Sequence, residues 1–133
     1  AKTQVLLPPK IEELKNNNVV TVGNDKSRVA EFLTDKLIDE MPGSYVAQIM
    51  GVVKGRYLGT IMRARLWDMA GCHAVAKNLG VKIYDGKTLE EVDNFRRRDF
   101  IEDGSQKWKL KKTYIVCYDF AKENLVSKLR ITP

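Results

Sequence analysis

Short β-branched runs separated by stretches of helical period make up most of this sequence, and that alternation constrains its fold more than any other feature. Val19-Val20-Thr21-Val22, Val81-Lys82-Ile83-Tyr84 and the apolar stretch from Thr113 to Tyr118 have the length and composition of strands. Between them, apolar positions recur every three or four residues. Val29, Phe32, Leu33, Leu37 and Ile38 are spaced for one helix face, and Arg28, Glu31, Asp35, Lys36 and Asp39 take the other. This predicts a helix capped by Asp25 or Ser27, running through Glu40 and ended by Pro42-Gly43. A second helix is predicted after Ser44. Val46, Ala47, Ile49, Met50 and Val53 make it apolar over most of its circumference, which predicts burial, and Gly55 suits its stop. Tyr57 to Met62 is expected as a strand. Asp68 is a natural cap for a third helix, Met69 to Leu79, with Gly80 as a left-handed stop. Asp85-Gly86 is a turn signal of the hairpin type, and Phe120 to Leu129 reads as a closing amphipathic helix. Residues 87–112 are polar and charged, without a clear period. Strands alternating with helices predict an α/β layered sandwich.

The length of 133 residues suits one domain with one core. Residues 1–18 read as an N-terminal extension or linker. Pro8-Pro9 resists helix and central strand alike, and Asn16-Asn17-Asn18 reads as a loop. Residues 19–133 read as a single α/β domain. No apolar run reaches the ~20 residues of a membrane span, and no basic-then-apolar leader opens the sequence, so no membrane partner is expected. Cys72 and Cys117 are the only cysteines. The expectation is two buried thiols in the cytoplasm or another reducing compartment, with one disulfide as the alternative. There is no C-x-x-C pair and only one histidine, which argues against zinc. The formal charge of +6 suits an anionic partner: a phosphate ester, a nucleotide or a nucleic acid.

Chemistry concentrates in Leu66-Trp67-Asp68-Met69-Ala70-Gly71-Cys72-His73-Ala74-Val75-Ala76. An Asp ahead of an apolar helical run reads, from the residues alone, as an N-cap at a helix end whose backbone amides favour negative charge. Trp67 is expected in the core. His73 is expected as a packed histidine or a pocket wall rather than a general base, and Cys72 as structural.

The segment resembles the W-D-x-A-[AG] motif of the inositol monophosphatase superfamily, and its His-Ala-Val-Ala continuation looks most like the 3′-phosphoadenosine-5′-phosphate phosphatase branch. Gly43-Ser44 followed by Val46 to Gly55 resembles the family's Gly-Ser helix with its V-A-x-G ending, here Val52-Val53-Lys54-Gly55. Leu79-Gly80 through Gly86 resembles the strand and turn after the motif helix. Thr113 to Leu129 resembles the terminal strand and helix. The likeness covers about residues 19–86 and 113–130.

The resemblance implies the C-terminal half of the layered fold shared by inositol monophosphatases and fructose bisphosphatases. It implies a Mg²⁺-dependent phosphomonoesterase acting on a small phosphorylated nucleotide or sugar. Asp68 would be a metal ligand, and Gly43, Ser44 and His73 would lie beside the substrate. The family's acidic pair and its D-P-x-D-G-T element, which supply the remaining ligands, are not in this sequence. Glu12-Glu13 reads as surface charge. Mg²⁺ on one carboxylate stays mostly hydrated and weakly bound, so the chain alone is expected to be inactive. Half a layered fold exposes an apolar face, which implies coverage by another polypeptide or by self-association. The alternative is a non-catalytic, degenerate phosphatase module serving as a scaffold or subunit, including in a nucleic-acid-containing complex. Lys54, Ile61 and Cys72-His73 depart from the inositol branch. Lys54, Arg63 and Arg65 would favour anions if they face the site.

Two basic clusters remain: Arg96-Arg97-Arg98, and Lys107-Trp108-Lys109-Leu110-Lys111-Lys112. They can grip a nucleic acid through phosphates and base stacking on Trp108. The competing reading is a solvated insertion with Trp108 tucked onto the sheet, its field diluted by Asp99, Glu102 and Asp103. The family resemblance would put this region near the terminal strand rather than near the metals.

Overall fold

The computed structural model describes residues 11–22, 30–40 and 43–131. Along the chain run α1 (Ile11–Lys15), β1 (Val19–Thr21), β2 (Ala30–Phe32), β3 (Ile38–Glu40), α2 (Tyr45–Val53), β4 (Gly59–Met62), α3 (Leu66–Asn78), β5 (Val81–Asp85), β6 (Tyr114–Tyr118), α4 (Lys122–Val126) and β7 (Leu129–Ile131). Five strands form a mixed sheet in the order β3-β1-β4-β6-β5. β1 is parallel to β3 and β4, whereas β6 runs antiparallel to both β4 and β5. β2 and β7 make a separate antiparallel ribbon. The protein is thus of the expected α/β class.

β6 reads Tyr-Ile-Val-Cys-Tyr and is buried at all five positions, as a strand covered on both faces requires. Side chains alternate between the faces. Val116 pairs with Ile83 towards the α2–α3 side, where the Tyr118 hydroxyl donates to the Val53 carbonyl at 2.7 Å. Ile115 pairs with Tyr84 on the other side, where Leu125 of α4 closes over Gly59 and Cys117. α2 packs on α3, and α3 on β5. Ser44 caps α2 as expected: its backbone is extended and its Oγ accepts from the Ala47 amide at 3.2 Å. Gly55 and Gly80 take positive φ of 77° and 91° after α2 and α3. Gly51, inside α2, lies against the buried Tyr57 ring so closely that any Cβ would overlap it.

Several expectations are corrected. The helix predicted through Glu40 does not form over 30–40. Its proposed caps, Asp25 and Ser27, lie outside the described residues, as does Val29. Leu33 is 51% and Ile38 59% exposed, so the supposed apolar stripe is not a buried face. Pairing of β2 with β7 and of β3 with β1 takes those residues into sheets, overriding a local period. The closing helix is shorter than predicted: a 3₁₀ turn at Asp119–Ala121 leads into α4, and Leu129 belongs to a strand. α2 is buried at Gln48, Ile49, Gly51, Val52 and Val53, but Val46 is 52% exposed. Within the extension expected over 1–18, Leu14 is buried, and the Asn17 side-chain amide donates to the carbonyls of Gly55 and Arg56. The segment 87–112 is built into the core through Phe100 and Leu110, and Phe95 meets Tyr114 edge to face at 5.1 Å.

Candidate functional site

α3 starts one turn earlier than its sequence suggests. Arg65 occupies the N-cap position without a side-chain cap bond, so Asp68 sits in the first turn rather than capping it. There the carboxylate still meets the positive end of the helix. Trp67, expected in the core, is 60% exposed, because the helix turns its second residue to solvent. Only Met69 and Ala76 of α3 are buried.

Asp68 stands in a groove of about 330 Å³ with Tyr45, Gln48, Ile61, Arg63, Arg65, Gln106 and Lys109 among its lining residues. Two guanidinium groups are fixed by backbone carbonyls. Arg63 Nε donates to Leu110 at 2.7 Å, and Arg65 donates to Ser105 at 3.0 Å. The guanidinium of Arg65 also lies 5.8 Å from the ring centre of Trp67. Three cations therefore ring one carboxylate. Lys54, the third cation expected to influence the site, is an exposed C-cap of α2 and lines neither cavity described here.

The Tyr45 hydroxyl is hydrogen-bonded to His73 Nε2. Burial, then the nearby Cys72 and Asp68, push the Tyr45 pKa far upward, so the phenol stays protonated. Burial lowers the His73 pKa below its ordinary 6.5. His73 is also a wall of a second, mostly apolar cavity of about 390 Å³, between α3, β5 and the segment from Glu91 to Phe100. This agrees with the packed, pocket-lining reading. His73 is the single histidine, so its titration can be isolated. Folding disfavours its protonated form, so the stability it contributes is complete above about pH 6.5 and declines as the pH falls below that through the folded value. The melting temperature should accordingly fall between about pH 7 and pH 5, and His73→Gln should flatten part of that fall. A histidine pKa of 6.5 or higher, read from its ring protons by NMR titration, would refute this.

Gly43 and Ser44 are exposed and lie just outside the groove; the cap is the observed role of Ser44. Among the described residues, nothing beyond its chain neighbours lies within 4 Å of a Cβ placed at Gly43. Cys72 and Cys117 are free thiols. Burial raises both pKa values, Cys117 to about 12, which fits structural rather than nucleophilic cysteines. Among the basic clusters, Arg97 pairs with Glu102 at 2.8 Å, and Arg97 and Lys107 both approach the half-buried Trp108 ring. Arg96 and Arg98 are exposed. Lys109 lines the groove of Asp68.

Tyr45, Gln48 and Gln106 were not singled out by sequence reasoning. Gln48 carried a signal, as the polar residue in an otherwise apolar helix. Gln106 carried none, because its place depends on the pairing of Arg65 with Lys109 across 44 residues.

The donor set of the groove does not suit a Mg²⁺ centre by itself. Among the described residues, Asp68 is the one carboxylate lining it, and no three His, Cys, Asp or Glu side chains converge. An anion is the better match for the chain's own groups. Set against protein-family models, curated proteins and solved structures, the chain matches none of them.

Proposed function

We propose that this chain is the C-terminal half of a phosphomonoesterase of the inositol monophosphatase type, with the corresponding half of that layered fold, and that it is inactive by itself. The substrate class is a small phosphorylated nucleotide or sugar. The observation that carries this reading is Asp68 in the first turn of α3, lining a groove with Arg63, Arg65 and Lys109 and, among the described residues, no second carboxylate. The three cations would hold the phosphate. Asp68 would contribute one ligand to a Mg²⁺ site whose other carboxylates come from another polypeptide segment. Bound there, Mg²⁺ would neutralise phosphate charge. Tyr45 and Gln48 would supply neutral hydrogen bonds at the groove wall, and the Tyr45–His73 pair would fix the phenol's position.

Without the metal, the carboxylate of Asp68 repels the phosphate that the cations attract. Asp68→Asn should therefore tighten inorganic phosphate binding to the isolated chain, by roughly fivefold for a charge about 4 Å away in water. Calorimetric titration with inorganic phosphate tests this. Unchanged or weaker binding in the variant would remove Asp68 from the phosphate site.

Coverage by another polypeptide, which half of a layered fold would need, also fits a non-catalytic scaffold or subunit. Native mass spectrometry of the source material separates the two readings. A companion chain with an Asp-Pro-x-Asp-Gly-Thr segment supports the phosphatase. A homo-oligomer, or a complex with chains lacking such a segment, supports the scaffold.

A further inference from the structure

Two sequence segments about 40 residues apart form one surface. Leu66 donates its amide to the Trp108 carbonyl at 2.9 Å, Leu110 donates to Ala64 at 3.0 Å, and Arg65 and Lys109 form an antiparallel bridge. Residues opposite one another across such a bridge share a face. Arg63, Arg65 and Lys109 accordingly line one groove, and Lys107, two residues before Lys109, is exposed. Among the described residues, none of these four cations takes part in an ion pair, whereas Arg97 is neutralised by Glu102. At the end of this row stands the indole of Trp67, 60% exposed and flanked by Arg65. Trp108 is half-buried and packed against the core, with Arg97 and Lys107 near its ring. Trp67, rather than Trp108, is therefore the aromatic face open to a ligand.

We propose that this surface binds single-stranded nucleic acid, with a base stacked on Trp67 and backbone phosphates on Arg63, Arg65, Lys107 and Lys109. An exposed indole beside a row of unpaired cations is the arrangement by which proteins hold unpaired nucleotides. A duplex presents phosphates but keeps its base faces stacked, so it gains nothing from Trp67. The carboxylate of Asp68, in the same groove, opposes the phosphates and limits affinity.

The test is fluorescence anisotropy with a labelled oligothymidine of about 12 nucleotides and a duplex of equal length, between about 50 and 200 mM salt. The expected result is preference for the single strand and a slope of log K against log salt near −3, from four phosphates at about 0.7 each. Trp67→Ala should weaken strand binding on the order of tenfold. The same variant should leave inorganic phosphate binding unchanged, which separates base stacking on Trp67 from the cations that the strand shares with the phosphate site proposed above. Because Trp67 is exposed, the variant should keep its fold, which circular dichroism checks. Absence of saturable binding at low salt, equal affinity for the duplex, or an unaffected Trp67→Ala would each overturn the proposal. A mononucleotide or an acidic peptide that competes as well as the oligomer would overturn it too.

Discussion

Replacing Ile115 with alanine should lower the unfolding free energy by about 3 kcal/mol, within the range of buried isoleucine truncations. Ile115 has no exposed surface and lies in β6, the strand between β4 and β5. It pairs with Ile61 on one side and Tyr84 on the other. Neighbours on both sides are held in strands, so the void left by three missing carbons can close only partly. A loss of this size is a large share of the roughly 5–15 kcal/mol that holds a domain folded. Urea denaturation followed by circular dichroism measures it. A loss under about 1 kcal/mol would mean that the strand around Ile115 relaxes freely, contrary to dense packing there.

The second large effect is expected at Gly51. Alanine in a helix interior gains about 1 kcal/mol over glycine, yet here the added carbon overlaps the Tyr57 ring. Tyr57 is only 3% exposed and cannot swing away without moving its neighbours. Gly51→Ala is therefore expected to cost about 2 kcal/mol net, as overpacked sites do. Gly71→Ala in α3 is the control. Among the described residues, nothing beyond its own helix backbone and chain neighbours lies within 4 Å of the carbon it adds, so it should stabilise the protein by up to about 1 kcal/mol. Combining Gly51→Ala with Tyr57→Leu should recover part of the loss as a coupling energy. If Gly51→Ala is as benign as the control, the contact between α2 and the chain that follows it is looser than described.

The strands around the site were legible because their signals are local. Val81–Asp85 is rich in β-branched and aromatic residues, Tyr114–Tyr118 is a continuous apolar run, and Ser44, Gly55 and Gly80 mark helix ends by their own chemistry. Residues 30–40 were misread because the signal deciding them is distant. Phe32 pairs with Leu129, and Ile38 with Val19. The site was half legible. Asp68, His73 and the basic clusters stood out by residue type. Trp67 was assigned to the core because large aromatics usually belong there, whereas the early start of α3 places it as the second helical residue, turned to solvent. The pairing of residues 64–66 with 108–110 brings Lys109 to Asp68, a juxtaposition that no spacing in the sequence encodes.

The position of β6 has a consequence for biosynthesis. β6 joins β4 to β5, yet it follows both in the chain, separated from β5 by a long segment. While residues 59–85 emerge from the ribosome, each of these two strands waits with an open edge. At ~5–20 residues per second, the wait lasts seconds. During that interval the apolar edges of β4 and β5 are the places where a nascent chain would meet a chaperone or another nascent copy. The sheet closes only when the segment from Tyr114 to Tyr118 slides between them.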